Sequence, residues 1–299
     1  MRERPDVLHV GLVGYESLLL FIIAKIGLIP CILTYHGTYS MAQPDSVSGL
    51  SQLVFILENI TMRTHWDEIV CVDYYSEKFL LFRYRIHKER LSVIPSGVDT
   101  SQFRPESAKN PAGLPRAYTI LCPRRIDPKN GIEYLIRAAI TCRPNIQQLV
   151  VLIAGRINEG MEDHAKFLHD LVRTNNGDSY IRFLGDVEHD KMRGLYNSAD
   201  IVVIPSLAEA RSLSALEAMA CEKAIVATRV GGMPEIVTDG FNGILVNPGD
   251  VANLANAIYR LYNSPELSVE LGRNARKTAL ENEWNERARG YERLYEAFV

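Results

Sequence analysis

Short apolar runs alternate with longer amphipathic stretches from one end of the chain to the other. Residues 7–10, 31–34, 67–72 and 92–95 read as strands, with helices between them at 17–25, 50–63 and 77–84. A second series follows: strands at 118–122, 149–154, 180–184, 201–204 and 224–227, and helices at 132–141, 162–173 and 190–198. Helical spacing then holds over 213–220, 251–262, 265–281 and 284–298. The sharpest strand run is Ile201-Val202-Val203-Ile204, closed by Pro205. Four β-branched residues stopped by a proline suit a strand buried on both faces, the habit of parallel sheets. The fold class is therefore α/β, with two Rossmann-like parallel-sheet domains facing a cleft. Residues 106–117 hold Lys109, Asn110, Pro111, Gly113 and Pro115 and read as a linker. The domains expected are 1–105 and 118–280, with a closing helix over 281–299.

The stretch from Ile201 to Asp250 concentrates the chemistry. A strand ends at Pro205, a polar loop follows, and Leu213, Leu216 and Ala220 lie at helical spacing. In open parallel sheets ligands bind beyond the carboxyl ends of strands, and a helix N-terminus there offers unpaired amides to a phosphate. Glu209 and Glu217 form an E-x7-E pair that can face that crevice, each carboxylate suited to vicinal hydroxyls. Both also fit S-x-x-E, as Ser206 to Glu209 and Ser214 to Glu217, so either could instead close a helix end as a capping box.

The whole passage PSLAEARSLSALEAMACEKAIVATRVGGMPEIVTDGFNGILVNPGD resembles the signature of the family 4 retaining glycosyltransferases, the glycosyl transferases group 1 with the GT-B fold. The match runs from Pro205 to Asp250 nearly without gaps. The resemblance implies that Glu217 binds the nucleotide ribose and Glu209 the donor sugar. It also implies that the backbone of Arg211, Ser212 and Leu213 holds the diphosphate. Ala210-Arg211-Ser212 stands where the family has Gly-Phe-Gly, which leaves the donor sugar open.

Further motifs carry the same resemblance. Tyr35-His36-Gly37-Thr38 fits the family's T-x-H-G turn and makes His36 a sugar-pocket residue. Asp73 stands where the family's strand-end pattern has Ser. Pro95-Ser96-Gly97-Val98-Asp99 resembles the passage from the first domain to the linker. Arg124, Arg125, Asp127, Pro128, Lys129 and Asn130-Gly131 resemble GRLxxxKG, whose cations hold the donor diphosphate. Basic residues after a strand end are placed to neutralise a diphosphate. Lys129 is the favoured cation with either Arg124 or Arg125 beside it; a register on Gly131 would put Asn130 in the lysine slot. Gly185-Asp186-Val187 resembles the loop against the nucleotide base. Glu209, His36 and Lys129 are thus the catalytic candidates. The resemblance implies retaining transfer of a sugar from a nucleotide diphospho-sugar to an acceptor hydroxyl, with no D-x-D metal site and no cofactor. The first strands of the family's N-terminal domain are not recognisable. An alternative is therefore a non-catalytic nucleotide-sugar-binding subunit that needs a partner chain. A nucleotide-sugar epimerase is disfavoured by the motifs around the Glu pair.

Bulk properties narrow the partners. The net charge of −3 gives no bulk attraction to nucleic acid or to an anionic membrane. The five cysteines are scattered without C-x-x-C, which suggests neither zinc nor a disulfide framework and suits a reducing, cytoplasmic setting. The apolar segment 18–33 is broken by Lys25, Gly27 and Pro30, too short for a membrane span. Peripheral membrane contact or a partner chain is left open, as is the acceptor: a sugar, a lipid or another hydroxyl.

Overall fold

The computed structural model describes residues 4–11, 13–37, 49–106, 117–146 and 148–299. Apart from its two ends, the expected linker lies outside them, as does Thr38 just after His36-Gly37. The chain divides into two compact units. One comprises Met1–Ser96, Glu209–Arg211 and Trp284–Val299; the other comprises Gly97–Ala208 and Ser212–Glu283.

The first unit runs β1 (Leu8–Val10), α1 (Tyr15–Ile26), β2 (Cys31–Tyr35), α2 (Gly49–Arg63), β3 (Glu68–Cys71), α3 (Tyr74–Arg83) and β4 (Leu91–Val93). The strands pair in parallel in the order β1-β2-β3-β4. One face of the sheet carries Leu33, Ile69 and Leu91, packed with Trp66 and Leu80. The other carries Ile32, Val70 and Ile94, covered by Tyr291, Leu294 and Tyr295 of the terminal helix Trp284–Glu296 and by Phe298 beyond it. The helix expected from residue 77 begins at Tyr74, because the Asp73 side chain accepts the Ser76 amide and caps it. Aspartate and serine are both strong N-caps, so Asp73 keeps the local task of the serine it replaces in the family pattern.

The second unit contains β5 (Tyr118–Cys122), α4 (Ile132–Cys142), β6 (Leu149–Ala154), α5 (Glu162–Thr174), β7 (Ile181–Gly185), α6 (His189–Ser198) and β8 (Ile201–Ile204). It continues with α7 (Leu213–Ala220), β9 (Ala224–Thr228), β10 (Ile244–Val246), α8 (Val251–Asn263) and α9 (Pro265–Glu281). The terminal helix is α10 in chain order. The strand β10 was not expected; its three residues are too few to show a period. The six strands are parallel in the order β10-β9-β8-β5-β6-β7. Counted within the unit, that is the doubly wound 3-2-1-4-5-6 order, with its switch point between β5 and β8.

Alternate residues of each central strand enter different cores. Ile120, Ile201, Val203 and Val226 pack with Leu135 of α4, Leu168 of α5 and Ile258 of α8. Leu121, Val202, Ile204 and Ile225 pack with Tyr196 of α6, Leu216 of α7 and Ala275 of α9. This is why the strand runs carry no polar alternation: both faces are covered. Each fully buried aliphatic side chain contributes about 1.5–3 kcal/mol to holding the sheet.

Candidate functional site

The switch point brings two strand-end loops into contact. After β5 the chain turns through 123–131, and after β8 through 205–212. The Leu207 amide donates to the Lys129 carbonyl at 2.7 Å. Gly131 has φ +66°, and a Cβ there would lie 1.9 Å from the Pro205 carbonyl oxygen. Only glycine permits this approach, which is a backbone reason for the Asn130-Gly131 pair. The next loops join the same edge. A Cβ on Gly155, after β6, would meet the Arg124 carbonyl oxygen at 2.3 Å. The Gly155 amide donates to the Gly185 carbonyl at 2.8 Å.

The basic loop is held from within. Asp127 is buried; its side chain accepts the Lys129 amide at 3.0 Å and the Asn158 amide group at 2.9 Å. Asn130 is also buried. Its Oδ1 accepts from Arg124 Nη2 at 2.6 Å and its Nδ2 donates to the Arg125 carbonyl at 2.8 Å. Asn130 therefore braces the loop and offers no cation. Arg125 is exposed, and Arg124 and Lys129 are half-buried.

Glu217 lies on α7, and neither capping alternative holds. α7 starts at Leu213 and is capped by Ser212, whose Oγ accepts the Ala215 amide at 3.3 Å; residues 206–209 form no helix. The Glu217 carboxylate instead has two side-chain partners. Tyr196 donates its hydroxyl to Oε2 at 2.8 Å, and His189 Nε2 lies 3.0 Å from Oε1. Tyr196 is fully buried, with Phe103 edge-on to it at 5.9 Å. Burial, and then the Glu217 charge, push the Tyr196 hydroxyl well above its ordinary pKa, so it stays a donor. His189 is exposed and meets Phe103 edge-on at 5.1 Å. The side chain of Glu217 keeps 14% of its surface in solvent. Through His189 the segment carrying Gly185 and Val187 is tied to α7. Val187 packs on the core beneath, and Gly185 turns with φ +70°.

Arg124, Arg125, Lys129, Gly185, Val187, Ser212, Leu213 and Glu217 thus all stand on the carboxyl edge of one sheet. Three other candidates belong to the first unit. His36 follows β2 at its carboxyl end and is exposed. Arg211 Nε donates to the Ser96 carbonyl at 2.8 Å. Glu209 and Arg211 both act on the buried Asp73. Burial raises the Asp73 pKa, Glu209 adds to the rise and Arg211 opposes it.

Tyr196 and His189 were not among the residues singled out from sequence, and Asn130 was weighed only for the lysine slot. Tyr196 reads there as one more apolar position of an amphipathic helix, and nothing local ties it to a glutamate on α7. Asp127 and Asn130 lie inside the basic motif, where the signal was present but was read only for charge. A cavity of about 650 Å³ lies elsewhere, by Tyr118, Asp200, Lys223 and Tyr262 at the amino ends of the strands. Among the described residues no cluster of His, Cys, Asp and Glu is arranged to hold a metal ion, and no helix is long and apolar enough to cross a membrane.

Fold and geometry together place cations, the start of α7 and a braced carboxylate at one Rossmann-type switch point. Comparison with known proteins gives the family. The chain belongs to the glycosyl transferases group 1, whose model matches residues 104–278, and the Glycosyltransferase Family 4 model matches residues 1–102. A D-inositol 3-phosphate glycosyltransferase of Corynebacterium kroppenstedtii is 31% identical over 73% of this chain and 50% of its own length. The uncharacterized glycosyltransferase MJ1178 of Methanocaldococcus jannaschii is 29% identical over 90% of this chain and 68% of its own. The chain spans about half the length of most of the curated relatives it matches. Among solved structures, sucrose-phosphate synthase of Thermosynechococcus elongatus superposes with TM-score 0.86 at 24% identity, covering 98% of this chain and 73% of that one. Anabaena Alr3699/HepE in complex with UDP gives 0.81 at 21%, covering 97% and 79%. These likenesses establish the GT-B fold class.

Proposed function

We propose that the chain is a retaining glycosyltransferase that moves a hexosyl group from a nucleoside diphospho-sugar to an acceptor hydroxyl. The observation that carries the reading is Glu217, set at the switch-point edge with one oxygen anchored by Tyr196 and the other beside an exposed histidine. A carboxylate so fixed suits the vicinal hydroxyls of a ribose. The diphosphate would lie against Lys129, an arginine of the same loop and the first amides of α7, which no helix satisfies internally. In the reaction the bond from the anomeric carbon to the diphosphate oxygen breaks. A bond to the acceptor oxygen forms on the same face, and the acceptor proton passes to the departing diphosphate oxygen. Negative charge develops on the departing diphosphate, and fixed donors are most effective there. Glu209 and His36 keep the sugar-contact roles that the family resemblance gives them. The reading needs no metal, since this chain's own cations neutralise the leaving group. The HepE complex with UDP favours a uridine nucleotide as the first probe.

The test is calorimetric titration of the full chain with UDP, GDP and ADP, with Glu217→Ala as control. Binding of one nucleotide, weakened at least tenfold in the variant, is the expected result. A folded chain that binds none of the three refutes the donor site. A second reading is a nucleotide-sugar-binding subunit that works with another polypeptide. It predicts nucleotide binding without turnover until a further chain is added.

A further inference from the structure

One surface of the first unit is built like an interior. On α1 the inward side places Phe21 against Trp66 and buries Ala24. The outward side carries Leu19, Ile22, Ile23 and Ile26, all exposed, Ile26 by 81%. The only charges on this helix are Glu16 and Lys25. A helix apolar all round is ordinarily a buried one. α2 packs beside α1 and repeats the pattern, with Leu53, Ile56 and Ile60 exposed at i, i+3 and i+7.

We propose that this α1–α2 face is the contact between two copies of the chain. The seven side chains leave roughly 700 Å² of apolar surface in water, more than the ~300–600 Å² of the largest patch on an ordinary monomer and close to the ~800 Å² each partner gives to a standard interface. The charges are self-complementary. A two-fold contact makes the same patch meet itself, so antiparallel α1 helices place Glu16 in the first turn of one copy near Lys25 in the last turn of the other. Lys25 bonds Asp67 at 2.8 Å and is still 38% exposed, so its charge stays at the rim. A lipid surface fits less well. Interfacial helices flank their apolar side with many lysines and arginines, whereas α1 has one cation and the whole chain is net −3. The proposal does not depend on the donor site.

The test is the mass of the full chain by light scattering during size exclusion at micromolar concentration, with the double variant Ile22→Asp/Ile26→Asp. The expected result is twice the 33.6 kDa of one chain for the wild type and a single chain for the variant. Both substitutions lie on exposed positions, so the far-ultraviolet circular dichroism should be unchanged. Phe82→Asp, at an equally exposed site on α3, should leave the dimer intact. A wild-type chain that runs as a monomer overturns the proposal, as does a dimer indifferent to the double variant. Flotation with vesicles of phosphatidylglycerol and phosphatidylcholine is the third measurement. A monomer that floats, and ceases to float in the double variant, overturns the proposal in favour of a lipid surface.

Discussion

Replacing Tyr196 with Phe isolates what the buried phenol does for Glu217. The substitution removes one hydroxyl from a fully buried ring and leaves Phe103 packed against the same face. The lost hydrogen bond, 2.8 Å long, ends on a carboxylate. Bonds to charged groups contribute about 1.5–3 kcal/mol, and an acceptor left unpaired pays its own desolvation. Water can reach part of the Glu217 side chain, 14% exposed, so the lower half of that range applies. For a unit of this size about 1.5 kcal/mol lowers the melting temperature by roughly 3–6 °C. The second effect is on the ligand. With Oε2 unanchored the carboxylate gains rotamers, and UDP affinity should fall about three- to tenfold, or ~0.7–1.4 kcal/mol. A general loosening of the fold would do that too. The discriminating assay therefore repeats the calorimetry with 2′,3′-dideoxy-UDP, which lacks the hydroxyls that Glu217 would accept. If Tyr196 acts through Glu217, the penalty disappears with this analogue. An equal penalty for both ligands, or an unchanged melting temperature, refutes the reasoning.

Three further outcomes follow from the geometry. Gly131→Ala forces a Cβ to 1.9 Å from the Pro205 carbonyl oxygen at φ +66°; the clash should cost more than ~3 kcal/mol and be read as loss of the cooperative thermal transition. Ser212→Ala removes the cap of α7 and should destabilise by about 1 kcal/mol in urea titration. His9 bonds the Tyr295 hydroxyl at 2.6 Å and Thr34 Oγ1 at 2.7 Å, with the Tyr291 ring tilted against it at 5.6 Å. Burial, and then the neighbouring His36, hold its pKa below the ordinary 6.5. The unfolded chain therefore binds the proton more readily. The stabilisation is fully present above about pH 6.5 and is lost as pH falls toward the folded-state value. His9→Gln should flatten that slope in melting curves recorded across the range.

Much of the architecture was legible because the strands are buried on both faces. Ile201–Ile204 and Tyr118–Cys122 stand out as runs with sharp ends, and the helices between them keep a clear period. β10 was hidden because Ile244–Val246 is a three-residue edge strand lying within a recognisable motif. α3 began earlier than the periodicity suggests because a cap, Asp73, decided its start and hydrophobic spacing did not. At the site, the cations and Glu217 could be named from their motifs, but their supports could not. Tyr196 and His189 reach Glu217 across the gap between two helices, and only the packing of α6 beside α7 closes it. The contact that makes Gly131 obligatory is with Pro205, on a loop that precedes another helix altogether. At Arg211 the motif concerns only the backbone; the bond from its guanidinium to the Ser96 carbonyl could not be read from the sequence.

The way the chain leaves and re-enters the first unit has a consequence for folding kinetics. The second unit begins at Gly97 and ends at Glu283, and there the Val98 amide donates to the Asn282 carbonyl at 2.9 Å, with Val98 bridged to Glu283. Once that unit has folded, its two ends are adjacent. To the first unit it is then a short tether, although it is very long in sequence. Docking of α10 onto β2 and β3 would otherwise require closure of an immense loop, whose entropy grows as about 1.5RT ln n. With the ends clasped, the search is local. The order of events should accordingly be hierarchical: the inserted unit first, then the terminal helix, whose late arrival completes the sheet face at Ile32, Val70 and Ile94.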